Sequence, residues 1–410
     1  MSKIFFLSQK NYNQPEIDNA VKKIFDYFGG VEKFISPGEK VLLKVNLVSG
    51  HEIERRVTTD PSIVRAVAKL ILEHGAKPFI ADSTGVDNFK TSAEKAGFMK
   101  ISEELNIECK ELTNPVDLPI KNSDTAFHKI QVSKFVIEAD KIINLPKLKT
   151  HGQMYLTMGV KNMFGCIPGR LKAGWHYNVG LNREKFASLL LDIYQNINPC
   201  FTILDGVIGM QGDGPTSGEP YEFGIIAGTQ DALSMDFHLC KMLGAKFEDY
   251  PLWLAAKKRN MPECELNYDD VEWYDPSVDE STSPLLRGDK SENLAVPDKG
   301  RGTACGGRVK MVSEFTFPNV KIPKTRSMRL LPRLPFIERF MTSKPVHIPE
   351  LCIGCGRCQA VCAARALKHE NKHLYFDYSK CIRCYCCHEM CPVKAIKFKE
   401  SKLVSLINKL

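Results

Sequence analysis

The chain has 410 residues, 43% of them hydrophobic and 25% charged, with a formal net charge of +8. That length exceeds one ordinary domain, and the composition is that of a globular chain with enough apolar residues to bury sizeable cores, which excludes a disordered or fibrous protein. No window approaches the roughly 20 apolar residues of a membrane span, and the apolar run at residues 4–7 is too short for a secretory signal, so a cytoplasmic protein is expected.

Residues 4–7 read as a first strand. Ile17, Val21, Ile24, Phe25 and Phe28 then form a helical stripe, and residues 40–45 an apolar strand. Asp60-Pro61 is an N-cap followed by proline at the first helical position, ahead of the stripe Ile63, Val64, Val67, Leu70 and Ile71. Residues 78–81 and 141–145 are further core strands. Phe186, Leu189, Leu190, Ile193 and Ile197 make another helix, with a strand at 201–204 after it. Strands alternating with helices predict an α/β fold, a mostly parallel sheet with helices on both faces, over residues 1–246.

The residues at the carboxyl ends of these strands carry chemistry. Asn46, Asp82 and Asp205 end three of them, and Lys147 and Lys149 come just after a fourth. Ligands of open α/β sheets bind beyond the carboxyl ends of strands. Asp and Asn also start turns, but their recurrence at successive strand ends favours a site. Lys147, Lys149, His151 and Lys161 lie near glycine turns, an arrangement suited to an anion; His176 is a further candidate. These groups are expected to line a cleft with Asn46, Asp82 and Asp205 at its floor. His151 has the only side chain there that ordinarily titrates near neutrality, so it is the candidate proton donor, with Lys147 and Lys161 beside it. The glycine-rich run 205–215 reads either as a long turn or as a loop closing over a ligand or cation. No Walker loop is present.

Residues 247–290 carry eleven Asp and Glu against five Lys and Arg, and residues 319–344 are basic and interspersed with apolar side chains. Residues 247–342 therefore read as an irregular connection, acidic and then basic. Its glycine-rich stretch 299–308 reads as a flexible loop. The basic stretch is expected to pack within the molecule, its prolines limiting helix length, in preference to lying on a membrane surface.

Nine of the 15 cysteines fall between residues 352 and 391, too dense a set for ordinary buried thiols. The first run is Cys352-x2-Cys355-x2-Cys358-x3-Cys362, the second Cys381-x2-Cys384-x2-Cys387-x3-Cys391-Pro392. This is the spacing of bacterial two-cluster ferredoxins, in which the fourth cysteine serves the other cluster. One 4Fe–4S cluster is thus assigned to Cys352, Cys355, Cys358 and Cys391, the other to Cys381, Cys384, Cys387 and Cys362. Cys386 falls outside the regular spacing and reads as a non-ligand. Zinc sites lack the third cysteine in step. Residues 343–410 therefore resemble a small α+β dicluster ferredoxin-like domain, with an internal repeat, Ala363 standing where proline is common. In this segment 12 Lys and Arg stand against 5 Asp and Glu; two oxidised clusters of about −2 each offset much of that, so nucleic-acid binding is not needed to explain the charge.

Lys44-Val45-Asn46, Pro146-Lys147-Leu148-Lys149-Thr150-His151, Val160-Lys161-Asn162-Met163-Phe164-Gly165, Asp205-Gly206 and Gly212-Asp213-Gly214-Pro215 together resemble the family called domain of unknown function 362, over about residues 3–245. The resemblance implies a fold unit associated with iron–sulfur chemistry, without a reaction or substrate. Three function classes are open. One is an oxidoreductase of unknown substrate, exchanging electrons with an anionic ligand or second cofactor in the cleft. The others are an electron carrier whose larger domain docks a redox partner protein, and a redox-sensing assembly or regulatory factor. Charged residues concentrated at strand ends favour the first.

Overall fold

The structure is a computed structural model that describes residues 3–121, 125, 127–180, 182–276, 307–310, 320–321, 343–370 and 372–399. The strands are β1 (Ile4–Ser8), β2 (Lys40–Lys44), β3 (Lys77–Asp82), β4 (Cys109–Glu111), β5 (Pro115–Pro119), β6 (Lys129–Ser133), β7 (Lys141–Asn144), β8 (Lys147–His151), β9 (Tyr155–Thr157), β10 (Phe201–Gln211), β11 (Glu219–Thr229), β12 (Val271–Asp275) and β13 (Gly307–Lys310). The main sheet runs β13-β12-β1-β11-β10-β7-β2-β3-β4, with β8 and β9 attached at β10. From β10 to β4 every neighbouring pair is parallel; β11 turns back antiparallel on both β10 and β1.

Alternation along the strands gives the sheet two apolar faces. Val41 and Leu43 enter one core with Ile143 and Ile203; Leu42, Ile142 and Leu204 enter the other. Helices Gln14–Tyr27 and Pro61–Glu73 cover the first face through Ile17, Val21, Ile24, Ile63 and Val67. Helix Arg183–Ile197 covers the second through Phe186, Leu189, Leu190 and Ile193. The caps are those the local sequence requires: Asp60 Oδ1 accepts Ser62 N–H at 3.0 Å, and Asn182 Oδ1 accepts Lys185 N–H at 2.8 Å.

Two regions depart from the sequence reading. The glycine-rich run is divided: β10 continues through it to Gln211, and residues 212–218 form the turn into β11. Its glycines serve close packing, since a side chain at Gly209 would collide with the Leu148 carbonyl on β8. The segment after residue 246, read as irregular, contains helix Pro251–Lys258 and strand β12, which pairs in parallel with β1. Residues 299–306 and most of the basic stretch 319–344 lie outside the described residues.

A smaller C-terminal unit has strands β14 (Lys344–His347), β15 (Leu367–Glu370), β16 (His373–Phe376) and β17 (Ile396–Lys399). β14 pairs with β17 and β15 with β16, both antiparallel.

The ends of β2 and β3 are tied by a buried ion pair. Lys44 Nζ sits 2.8 Å from Asp82 Oδ1, both side chains at most 5% exposed. Removing one partner of such a pair strands the other charge. Lys44→Met should therefore lower unfolding stability by about 3 kcal/mol, read as a lower denaturant midpoint with cluster content unchanged.

Candidate functional site

The parallel strands deliver their charged ends to one edge. There Asp82 is fully committed: besides Lys44, its Oδ2 accepts Leu47 N–H at 2.6 Å and its Oδ1 accepts Ser83 N–H at 2.7 Å. Gly165 closes over this knot, and a Cβ there would fall 2.5 Å from Asp82 Oδ1. Asn46 Oδ1 accepts from Lys149 Nζ at 2.7 Å, and Lys149 also donates to the Val57 carbonyl. The Asn46 amide continues through Asn162 to Asn144 at 3.0 and 2.8 Å.

These groups border a cavity of about 260 Å³. Of the residues expected there, Asn46, Asp82, Lys149 and Lys161 line it, as does His176. Lys147 and Asp205 do not. They form a separate buried pair at 2.7 Å, bridged by the Tyr12 hydroxyl, which accepts from Lys147 and donates to Asp205 at 2.8 Å each. The Asp205 carboxylate also accepts Asp60 N–H. Lys147 and Lys149 stand two apart on β8 and so share a face, but Lys147 lies opposite Asp205 on β10 and Lys149 opposite Met210; the carboxylate takes up Lys147, and the pair ties β8 and β10 to the Pro61–Glu73 helix.

His151 lies behind the wall, fully buried. Its Nδ1 accepts the backbone N–H groups of Gln153 and Met154 at 3.1 Å each, which leaves Nε2 to carry the ring proton. Nε2 is 3.2 Å from Glu389 Oε1. Burial, reinforced by Lys161, pushes this histidine down to about 4, so near neutrality it is an uncharged ring. That geometry suits it to orienting Glu389 more than to donating a proton.

Glu389 comes from the C-terminal unit, and with Lys172 it is a group the sequence reading did not single out. Its carboxyl is held below the usual range, against the opposing effect of burial, by the His151 Nε2–H beside it and by the Lys161 ammonium. Lys172 donates to the Ser83 carbonyl at 2.5 Å. Burial, aided by the neighbouring ammonium groups, lowers Lys149 to about 7, and burial lowers Lys172 to about 8. Lys161 is also lowered by burial, and its ammonium has no hydrogen-bond or ion-pair partner among the described residues. His176, pushed by burial down to about 3, keeps an unpartnered Nδ1 among the described residues. Glu389 had a readable signal: at the equivalent place, 29 residues earlier, the first cysteine run has Ala360.

The two cysteine runs are superposable by that 29-residue offset, Cys352 on Cys381 and Cys358 on Cys387. Ala366 N–H donates to Cys362 Sγ at 3.3 Å, and Ala395 N–H to Cys391 Sγ at 3.1 Å. Gly354 and Gly356 adopt positive φ; Arg383 and Tyr385 repeat it at the equivalent positions despite their side chains. Cys352, Cys355, Cys358 and Cys391 line one small cavity, while Cys362, Cys381, Cys384 and Cys387 are mutual neighbours. Among the described residues no three His, Cys, Asp or Glu converge on a single ion. The two sets fit one 4Fe–4S cluster each. Cys386 is buried, lies in hydrogen-bond reach of Cys384 and borders the large cavity, which Cys362 also lines. Thr216 Oγ1, donating to the Glu389 carbonyl at 2.8 Å, and Arg357, 3.2 Å from Asp87, hold the two units together.

Cys386→Ser should keep two clusters, whereas Cys387→Ser should lose or convert one. Anaerobic iron and sulfide analysis with electron paramagnetic resonance of the reduced protein checks both, and loss of a cluster from the Cys386 variant would reverse the register.

Residues 344–392 match a family described as a 4Fe-4S dicluster domain, and the C-terminal unit is an iron–sulfur electron-transfer module carrying two 4Fe–4S clusters. Among the described residues no helix is long and apolar enough to cross a membrane. A lactate racemase apoprotein from Thermoanaerobacterium thermosaccharolyticum aligns with a TM-score of 0.38 and 12% identity over 57% of each chain, a likeness too slight to carry an argument. The thylakoid-associated protein sll1697 of Synechocystis sp. (strain ATCC 27184 / PCC 6803 / Kazusa) is 35% identical over 256 residues, which are 62% of this chain and 78% of that protein. Residues 41–241 match the domain of unknown function DUF362, and the chain belongs to that family.

Proposed function

We propose that the protein is a redox enzyme in which the C-terminal clusters exchange electrons with an anionic ligand held in the cavity under the strand ends. One observation carries the reading: Cys362, in the cysteine set of one cluster, lines the same cavity as Lys149, Lys161 and Lys172. A ligand resting on those ammonium groups would lie against the wall behind which that cluster sits. The clusters would supply single electrons. The chain's own residues would bind and orient the ligand: Lys161 as the cation with no fixed partner among the described residues, Lys149 fixed by Asn46 and Val57, and Glu389 set in place by His151. The alternative, that the lysines dock an acidic redox partner, needs them on the surface. Lys149 is only 1% exposed, which favours the cavity reading.

The test is re-oxidation. Small molecules extracted from anaerobically purified protein should, when added back, re-oxidise the reduced clusters. Gly174 lines the mouth of the cavity with open space beyond its Cα. Gly174→Leu should slow that re-oxidation on the order of 10- to 100-fold by displacing the ligand, with both clusters intact. Unchanged rates in this variant would remove the cavity from the electron path.

Anion binding should also depend on pH. Lys149, facing Lys161, Lys147, Glu389 and Asp82, is half charged at about 7. Below that value its ammonium is present and attracts an anion; above it the charge is lost. Affinity for sulfate, which stays dianionic throughout, should therefore rise in calorimetry as pH falls through about 7, while His151 and His176 stay neutral.

A further inference from the structure

The cavity also constrains the chemistry of its ligand, an inference that rests on the proposed function in taking the cavity as a ligand site. Most of its polar acceptors are already used. Asp82 is saturated by Lys44 and two backbone N–H groups, Asn46 Oδ1 by Lys149, and the Ser83 carbonyl by Lys172. The remaining polar groups are mainly donors: the Lys161 ammonium, the spare N–H bonds of Lys149 and Lys172, and the exposed Arg170 guanidinium at the mouth. Four cationic side chains face one carboxylate outside these pairs, Glu389. A small monoanion such as acetate has only two oxygens at one end, too few acceptors for donors spread over these side chains. A dianion supplies acceptor oxygens to several donors at once. Leu47, Val48, Phe164 and Met390 form apolar wall between the charges, which suits a carbon body. The volume, about 260 Å³, lies below the range of drug-sized sites.

We infer that the cavity is a binding site for a small organic dianion, a dicarboxylate or a phosphate ester, anchored by Lys161. The adjacent cluster gives the inference a direct readout. Reduction adds a negative charge behind Cys362, so reduction and dianion binding oppose one another. By linkage a bound dianion must lower the reduction potential of that cluster as reduction weakens the dianion.

The experiment is a redox titration of the anaerobic holoprotein monitored by electron paramagnetic resonance, with succinate, glycerol phosphate or acetate at equal ionic strength. Succinate or glycerol phosphate should lower the potential of one cluster while acetate leaves it in place; which of the two acts distinguishes carboxylate from phosphate. In Lys161→Met, with cluster content verified, the dianion should bind roughly ten-fold more weakly or worse, and Lys161→Arg should retain the shift. The inference is overturned if acetate acts as strongly as the dianions, if neither dianion acts on the wild-type protein, or if Lys161→Met keeps the full shift. The wild-type comparison decides the matter even if that variant fails to assemble its clusters. Dianion binding without any ligand-driven re-oxidation sinks the electron-exchange reading alone. Re-oxidation by a neutral or monoanionic compound sinks the dianion alone.

Discussion

The architecture depends on satisfying lysine ammonium groups that are buried at the ends of parallel strands. An ammonium removed from water is costly unless a carboxylate or several dipoles replace its hydration. Lys44 is answered by Asp82, Lys147 by Asp205 and Tyr12, and Lys149 by the Asn46 amide and the Val57 carbonyl. Each answer joins different segments, so solving the charge problem also fixes how the strand ends sit relative to one another. Asp82 additionally gathers the backbone after β2 through Leu47 N–H, and Gly165 can approach only because it has no side chain.

Lys161 is the exception in that set. Its neighbours Lys149 and Lys172 have fixed acceptors; it has none among the described residues, and it faces open cavity. Its partial compensation comes from another part of the chain, through Glu389. That carboxylate sits on the short helix Cys386–Glu389 between two cysteines of the cluster framework. The same helix carries Cys386 and Cys387, so one turn of backbone contributes to the cluster set, to the cavity wall and to the counter-charge of the basic cleft. Glu389 thereby joins the cluster unit to the cavity wall of the larger domain.

Much of this was legible along the chain. The helical stripes at Ile17–Val21–Ile24 and Ile63–Val64–Val67 and the apolar strands are local periodicities, and the sheet with two covered faces is their consequence. The cysteine register is more local still: cluster geometry needs ligands at fixed short spacings, and the 29-residue repeat carries its own check in Arg383 and Tyr385, which accept the backbone shape that glycines adopt in the first half. Asn46, Asp82, Lys149 and Lys161 were identifiable because chain reversal after a parallel strand brings strand ends to one edge.

Tertiary structure alone decided the partners that are distant in sequence. Lys147 and Lys149 are indistinguishable as residues two apart on a strand, yet the first is consumed by Asp205 and the second borders the cavity, because neighbours across the sheet differ. His151 has an ordinary histidine's promise as a proton donor until two backbone N–H groups occupy Nδ1 and burial keeps the ring neutral. The start of the glycine-rich run after Asp205 looks like a turn because local propensity sees only missing side chains, whereas the fold uses that absence to press β10 against β8. Glu389 lies 238 residues from His151 in the chain, and no local pattern encodes their 3.2 Å approach. Spacing and periodicity determine elements and metal frameworks because those are short-range constraints; the occupancy of a cleft depends on which charges meet there, and that is set by long-range packing.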